Sequence, residues 1–283
     1  MAAPWRGRVG RVAQPPPQAL LLVVVIHRPK AIVLALVLMG VASCSPAPGA
    51  SAGGLAGPDA GLASLAAAVP SPSPSPTPRP TQRVLAIKLD YQDHRLSCEA
   101  AALKMALTFE GIAVDELTLI KYMSNDPRPA KFDALGRLVA WGDPAQAYVG
   151  NPDGHIERYT GYGVYDAPVA RAAIRAGAHF VTSGSGLYGT GISPSAIYNA
   201  VLDGHPVVTW ISNTYQDVRL YRYTAYDGAT VWYTLTEHAV TVVGVRPDAV
   251  LINDPWFGQA WHPKTQFESA YRTFENMAVI VGR

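Results

Sequence analysis

The chain has 283 residues, 49% of them hydrophobic, with 23 basic and 21 acidic side chains and a formal charge of +2. Seven basic residues and one acidic residue, Asp59, precede residue 84, which leaves 16 basic and 20 acidic residues, a charge of about −4, in residues 84–283. The C-terminal part therefore lacks the basic patch or stripe that a nucleic-acid partner needs, and none is expected.

Residues 1–44 read as a leader. Two apolar runs, ALLLVVVI (19–26) and AIVLALVLMGVA (31–42), are separated by His27-Arg28-Pro29-Lys30. Neither reaches the ~20 residues of a spanning helix. The second has the layout of a signal peptide: basic flank, short apolar core, small residues at the end. It closes on Val41-Ala42-Ser43-Cys44, which resembles the lipobox of bacterial lipoproteins. That resemblance implies a diacylated Cys44 as the new N-terminus, with the protein exported and held at the outer face of the membrane. Cleavage near Ala42 without lipid, giving a secreted protein, is a second reading. An uncleaved helix over 19–42 is a third, against which the buried charges of Arg28 and Lys30 argue. Residues 45–83 are nearly all Ala, Gly, Ser, Pro and Thr, with too few bulky apolar side chains for a core. Alternating proline over 71–80 favours polyproline II, as in a tether.

Residues 84–283 suffice for one domain with a sizeable core. VLAIKL (84–89) predicts a short strand leading into the loop DYQDHRLSC. From Cys98, apolar residues recur at three and four (Ala101, Ala102, Met105, Ala106, Phe109), which predicts a helix capped by Ser97 and ended by Gly111. DELTLIKYM (115–123) is a second helix, and residues 124–163 are loop-rich. Helices over 166–176 and 193–202 end at Gly177 and Gly204. Strands follow at 205–211, 231–236, 238–245, 249–254 and 275–281. Helices first and a mostly antiparallel sheet afterwards give an α+β order.

Cys98 stands alone in residues 84–283, so it has no disulfide partner within that part of the chain. A free thiol in an exported domain calls for a reason: reactivity, or burial as an inert core residue. Its place at a helix start predicts a lowered thiol pKa. A thiol nucleophile needs a base and a group that orients the base. His238 begins one strand and Asp254 ends the next, across the turn Arg246-Pro247-Asp248, so an antiparallel pair brings the two together.

Gln92, five residues, then Cys98, with Ser97 before it and AALKMAL beyond, resembles the papain-like cysteine peptidases. Glu237-His238-Ala239-Val240 with Val243-Gly244, followed by Asn253-Asp254-Pro255, resembles the bacterial branch related to the double-glycine peptidases that process bacteriocin leaders. The resemblance spans about residues 84–283 and implies a papain-like fold. Cys98 is then the nucleophile, His238 the base and Asp254 its orienting group. Gln92 supplies an oxyanion N–H, and the substrate is a peptide or protein. The chain departs from the family in carrying Glu99, where a small residue usually follows the cysteine. That carboxylate either faces the sulfur and raises its pKa, or points to solvent.

Thiol hydrolysis calls for no cofactor. His94, His155, His179, His205 and His262 show no metal-ligand spacing. The run Asn151–His155 reads as a turn, and the glycine-rich 184–191 as a loop and candidate cleft wall, with Trp210, Trp232, Trp256 and Trp261 as cleft or core aromatics. Two further functions stay open: a non-catalytic binding module on the same fold, and an acyl transferase in which an amine replaces water.

Overall fold

A computed structural model describes residues 80–282; the leader, Cys44 and most of the linker lie outside the described residues. The predicted α+β order is found. A seven-stranded sheet takes its strands in the spatial order Gly258–Pro263, Ala249–Asp254, Glu237–Val245, Val207–Ser212, Ala278–Gly282, Phe180–Gly184, with Arg83–Val84 pairing on Glu237–Val245. Every pairing in it is antiparallel. Two small sheets lie in the segments expected to be loop-rich and in the hairpin of Tyr221–Ala225 with Thr230–Tyr233.

The helices are α1 (Cys98–Phe109), α2 (Glu116–Met123), α3 (Asp166–Ala176), α4 (Pro194–Asp203) and α5 (Lys264–Arg272). Gly177 and Gly204 close α3 and α4 in the left-handed conformation, at φ 107° and 105°, as their predicted role demands. α1 is buried along most of its length, and its alanines let it lie close to the sheet. Thr241 Oγ1, at the centre of strand Glu237–Val245, donates to the carbonyl of Ala102 at 2.9 Å.

The buried side chains form two clusters. Ala239, Val208 and Trp210 of the sheet join Leu103, Leu107, Trp141, Tyr148, Tyr162 and Tyr165 in one. Val207, Val240, Val242 and Ile252 join Ile197, Phe267 and Tyr271 in the other. Alternate residues of one strand thus enter opposite clusters, the two-residue period of a sheet covered on both faces.

Several expectations need amending. The strand over 84–89 shrinks to Arg83–Val84, because Ile87 N–H turns back to the Leu85 carbonyl at 2.8 Å and ends the ladder. Strand Gly258–Pro263 and helix α5 were not anticipated. Ser97 sits at the start of α1 but makes no side-chain cap. Trp210 is a core residue whose indole N–H donates to Val164 O at 2.9 Å. The glycine-rich 184–191 does not wall the cleft: Gly186 and Gly191 pack on the backbone of Glu275, before the last strand.

Candidate active site

One cleft is lined by Gln92, Leu96, Cys98, Tyr162, Glu237, His238, Trp256 and Phe257, among others. Three of the four predicted site residues line it directly, and Asp254 lies immediately behind His238.

The histidine–aspartate contact depends on a bulge. Near the turn, Val245 pairs with Val250 and Gly244 with Leu251; beyond Val243 the register shifts, so that Val242 pairs with Ile252 and Thr241 with Asn253. Continuing one step places Asp254 opposite Val240, on the same face as His238. Without the shift it would oppose Thr241, whose side chain points the other way. As built, His238 Nε2 and Asp254 Oδ1 lie 2.8 Å apart. Asp254 also accepts from the N–H groups of Trp256 (2.8 Å) and Phe257 (2.9 Å) and from Tyr215 OH (3.3 Å). Burial pulls its carboxyl up, but the His238 hydrogen bond and charge, with the two N–H donors, outweigh burial and hold it below the ordinary Asp value. With Nε2–H given to Asp254, Nδ1 is the nitrogen left to accept a proton.

The loop before Cys98 is pinned from below. Glu116, in the first turn of α2 and 1% exposed, accepts from the Asp93 N–H at 3.0 Å and from Ser97 Oγ at 2.5 Å. Tyr148 OH donates to Leu96 O at 2.5 Å, and Gln92 N–H donates to Pro255 O at 3.0 Å, which ties this loop to the Asn253-Asp254-Pro255 segment. The Gln92 side chain lies in the cleft as expected, but its Nε2 already donates to His94 O (2.7 Å) and Arg95 O (2.8 Å). An oxyanion would have to compete with those two carbonyls.

The choice left open for Glu99 is decided. It is fully buried, with Oε2 3.4 Å from Cys98 Sγ and Oε1 accepting the Val164 N–H at 2.6 Å. Gly163 makes room for it, since a Cβ there would stand 2.0 Å from Glu99 Oε1. Glu237 is 7% exposed, and its Oε1 is buried without a hydrogen-bond partner. One donor atom each from Cys98, Glu99 and Glu237 lies within 4.8 Å of the others, a spacing that a metal ion could bridge.

These neighbours reverse the expected direction at the thiol. Burial first, then the negative charges of Glu99 and Glu237, push Cys98 well above its ordinary value, and a hydrogen bond from the Ala239 backbone only partly opposes them. The same burial lifts Glu99 to about 7 and Glu237 well above the usual carboxylate range. Sequence reasoning missed Glu116 and Glu237. An acid inside a nine-residue strand that is otherwise apolar but for His238 and Thr241 is the signal that could have found Glu237.

A family described as Peptidase_C39 like matches residues 84–279. The chain is 26% identical over 185 residues to the uncharacterised Bacillus subtilis protein YvpB, covering 65% of this chain and 68% of that one. A solved structure from Bacillus anthracis, described as a C39-like peptidase, has the same fold, with a TM-score of 0.59 at 24% identity over 71% of this chain and 98% of that chain. The family match takes in more than half of the chain, including the cysteine, histidine and aspartate segments around the cleft, and the chain belongs to the Peptidase_C39 like family.

Proposed function

We propose that this protein is an extracytoplasmic thiol hydrolase that cleaves peptide or related amide bonds. The observation that carries the reading is the 2.8 Å His238–Asp254 contact behind a cleft that also holds Cys98. His238 Nδ1 takes the thiol proton, and the sulfur attacks the carbonyl carbon. His238 then returns the proton to the leaving amine, and water hydrolyses the thioester with His238 again as base. The first-turn N–H of Cys98 is a donor for the oxyanion, and Gln92 Nε2 is a second once it exchanges a loop carbonyl for the oxyanion. Because the thiol is pushed up, deprotonation belongs to the attack itself rather than to a thiolate formed beforehand. Export and a lipid anchor on Cys44 belong to the same proposal and rest on the Val41–Cys44 sequence alone.

The test measures peptide turnover and iodoacetamide labelling on the purified protein. Cys98→Ala removes both. His238→Ala lowers turnover by at least about a hundredfold, the scale of general acid–base catalysis. Labelling no faster than a free thiol, unchanged by His238→Ala and with no turnover, would overturn the reading. A non-catalytic binding module is then the better account, favoured by the occupied Gln92 amide and the raised thiol. Fast labelling without peptide turnover moves the substrate to a non-peptide amide or the reaction to acyl transfer.

A further inference from the structure

We propose that Cys98, Glu99 and Glu237 form a binding site for a thiophilic divalent cation of the zinc or cadmium class, which occupies the nucleophile and holds the protein inactive. The inference concerns the same cleft but does not need turnover to be true.

Three features carry it. The first is the donor set. A thiolate with two carboxylates is a zinc-type set, whereas calcium and magnesium take oxygen alone. Tetrahedral zinc, with bonds of about 2.3 Å to sulfur and 2.0 Å to oxygen, holds those atoms about 3.5 Å apart. Cys98 Sγ and Glu99 Oε2 already stand 3.4 Å apart, and all three donor atoms lie within 4.8 Å of one another. Only a small approach by Glu237 is needed to close the site.

The second feature is Glu237 itself. Its Oε1 is shut from solvent with no partner, inside a residue 93% buried. A buried acceptor without a donor costs free energy that a cation would recover. Among the described residues no lysine or arginine pairs with Glu99 or Glu237. Three ionised ligands and one divalent ion leave a net charge of −1.

The third feature is access and support. Cys98 and Glu237 line the cleft, so an ion reaches them from the cleft side, and water fills the fourth position. The Val164 N–H on Glu99 Oε1 and the Ala239 backbone hydrogen bond to Cys98 fix the ligands from behind, as second-layer partners do at metal sites. Loading displaces the thiol proton and any carboxyl protons to solvent; no bond other than these S–H and O–H bonds is broken.

The experiment uses the chelator-stripped full protein titrated with Cd2+, read by the thiolate-to-cadmium charge-transfer absorption and by competition with Zn2+. One equivalent is expected to bind. Cys98→Ala should abolish the band. Glu99→Gln and Glu237→Gln should each weaken binding about tenfold or more. In the wild type, Zn2+ should protect Cys98 from iodoacetamide and a chelator should reverse this. No stoichiometric binding overturns the proposal, as does binding lost in His238→Ala but unchanged in both glutamate variants, the mark of a Cys–His pair. If a glutamate variant fails to fold, X-ray absorption on the zinc-loaded wild type decides. One sulfur with carboxylate oxygens supports the site, and sulfur with imidazole alone overturns it. Binding without turnover removes the hydrolase reading and leaves this one standing; turnover without binding does the reverse.

Discussion

Two buried carboxylates flank the cleft and behave in opposite ways. Asp254, behind His238, accepts from an imidazole, two backbone N–H groups and a tyrosine, and its pKa is lowered. Glu99, behind Cys98, has the Val164 N–H and the thiol, with Glu237 nearby, and its pKa rises to about 7. Burial acts in the same direction on both; at Asp254 the His238 hydrogen bond and charge, with the two backbone N–H donors, outweigh it, whereas at Glu99 it outweighs the Glu99 and Val164 N–H groups and the thiol. One carboxylate is built to stay charged against an imidazole. The other is built to take up a proton beside a thiol.

Breaking the charged side should have the largest effect. Asp254→Ala frees His238 to rotate and lets the wrong nitrogen carry the proton, so kcat should fall on the order of a thousandfold or more, by the logic of the serine-protease triad. Steady-state kinetics on a peptide substrate would measure it. Loss of less than about tenfold would mean that the bulge at Val243 and the packing of Phe257 hold the ring without the carboxylate.

Breaking the proton-holding side is a matter of space. Gly163 sits at φ 130°, where L side chains are strained, and an added Cβ would meet Glu99 Oε1 at 2.0 Å. Gly163→Ala should therefore expel Glu99 or shift the strand, at a cost of about 3 kcal/mol or more. Thermal melting would read it. A variant as stable as wild type would show that the Glu99 pocket yields easily, and would weaken the case for a fixed cation site.

The two sides also have opposite stability–pH signatures. Asp254, with a lowered pKa, stabilises the fold above its ordinary value of 3.8, and that contribution is lost as pH falls below it. Glu99, raised from 4.5 to about 7, binds more protons folded than unfolded between those values, so its contribution is complete below 4.5 and lost as pH rises through 7. At about 1.4 kcal/mol per pKa unit this is on the order of 3 kcal/mol. Denaturant midpoints in chelator-containing buffer should fall from pH 4.5 to 7 in wild type and fall less in Glu99→Gln. Parallel curves would show that Glu99 keeps its proton throughout, or loses it equally in both states.

The sequence made the charged side legible and hid the other. Cys98 at a helix start, His238 at a strand start and Asp254 at the next strand's end follow from periodicity and turn residues, and the structure places them around one cleft. The bulge that gives Asp254 the right face has no mark in the residues, because Val243 looks like any strand valine. Glu99 on a helix's first turn reads equally as solvent-facing, since its burial depends on Gly163, more than sixty residues away. Helix α5 shows the expected spacing of Phe267, Ala270 and Tyr271, but a nine-residue helix gains its stability from packing rather than from local propensity, and its pattern is too short to stand out. Glu116 is hidden in the same way, an acid suited to a helix N-terminus that turns inward to hold the loop of Gln92.

The smallest expected effect is the most specific to the proton-holding side. At pH 6 Glu99 is mainly protonated and neutral, and it can donate to the sulfur as a thiolate forms. Above about 7 it ionises, and its charge 3.4 Å from Sγ disfavours a second anion there. Iodoacetamide labelling of Cys98 should thus rise less steeply with pH than thiol ionisation alone requires, flattening near 7. Glu99→Gln keeps an acceptor for the Val164 N–H and removes the charge, so it should match wild type at pH 6 and exceed it by about tenfold at pH 8, the equivalent of roughly one pKa unit. Chelator must be present throughout, so that a bound cation does not mimic a slow thiol. Glu237→Gln distinguishes the source of the repulsion. If Glu237 rather than Glu99 carries the charge at pH 8, its substitution gives the acceleration and Glu99→Gln does not. Equal profiles for wild type and both variants would show that the pair holds no charge against the sulfur at any of these pH values, and that burial alone keeps the thiol protonated.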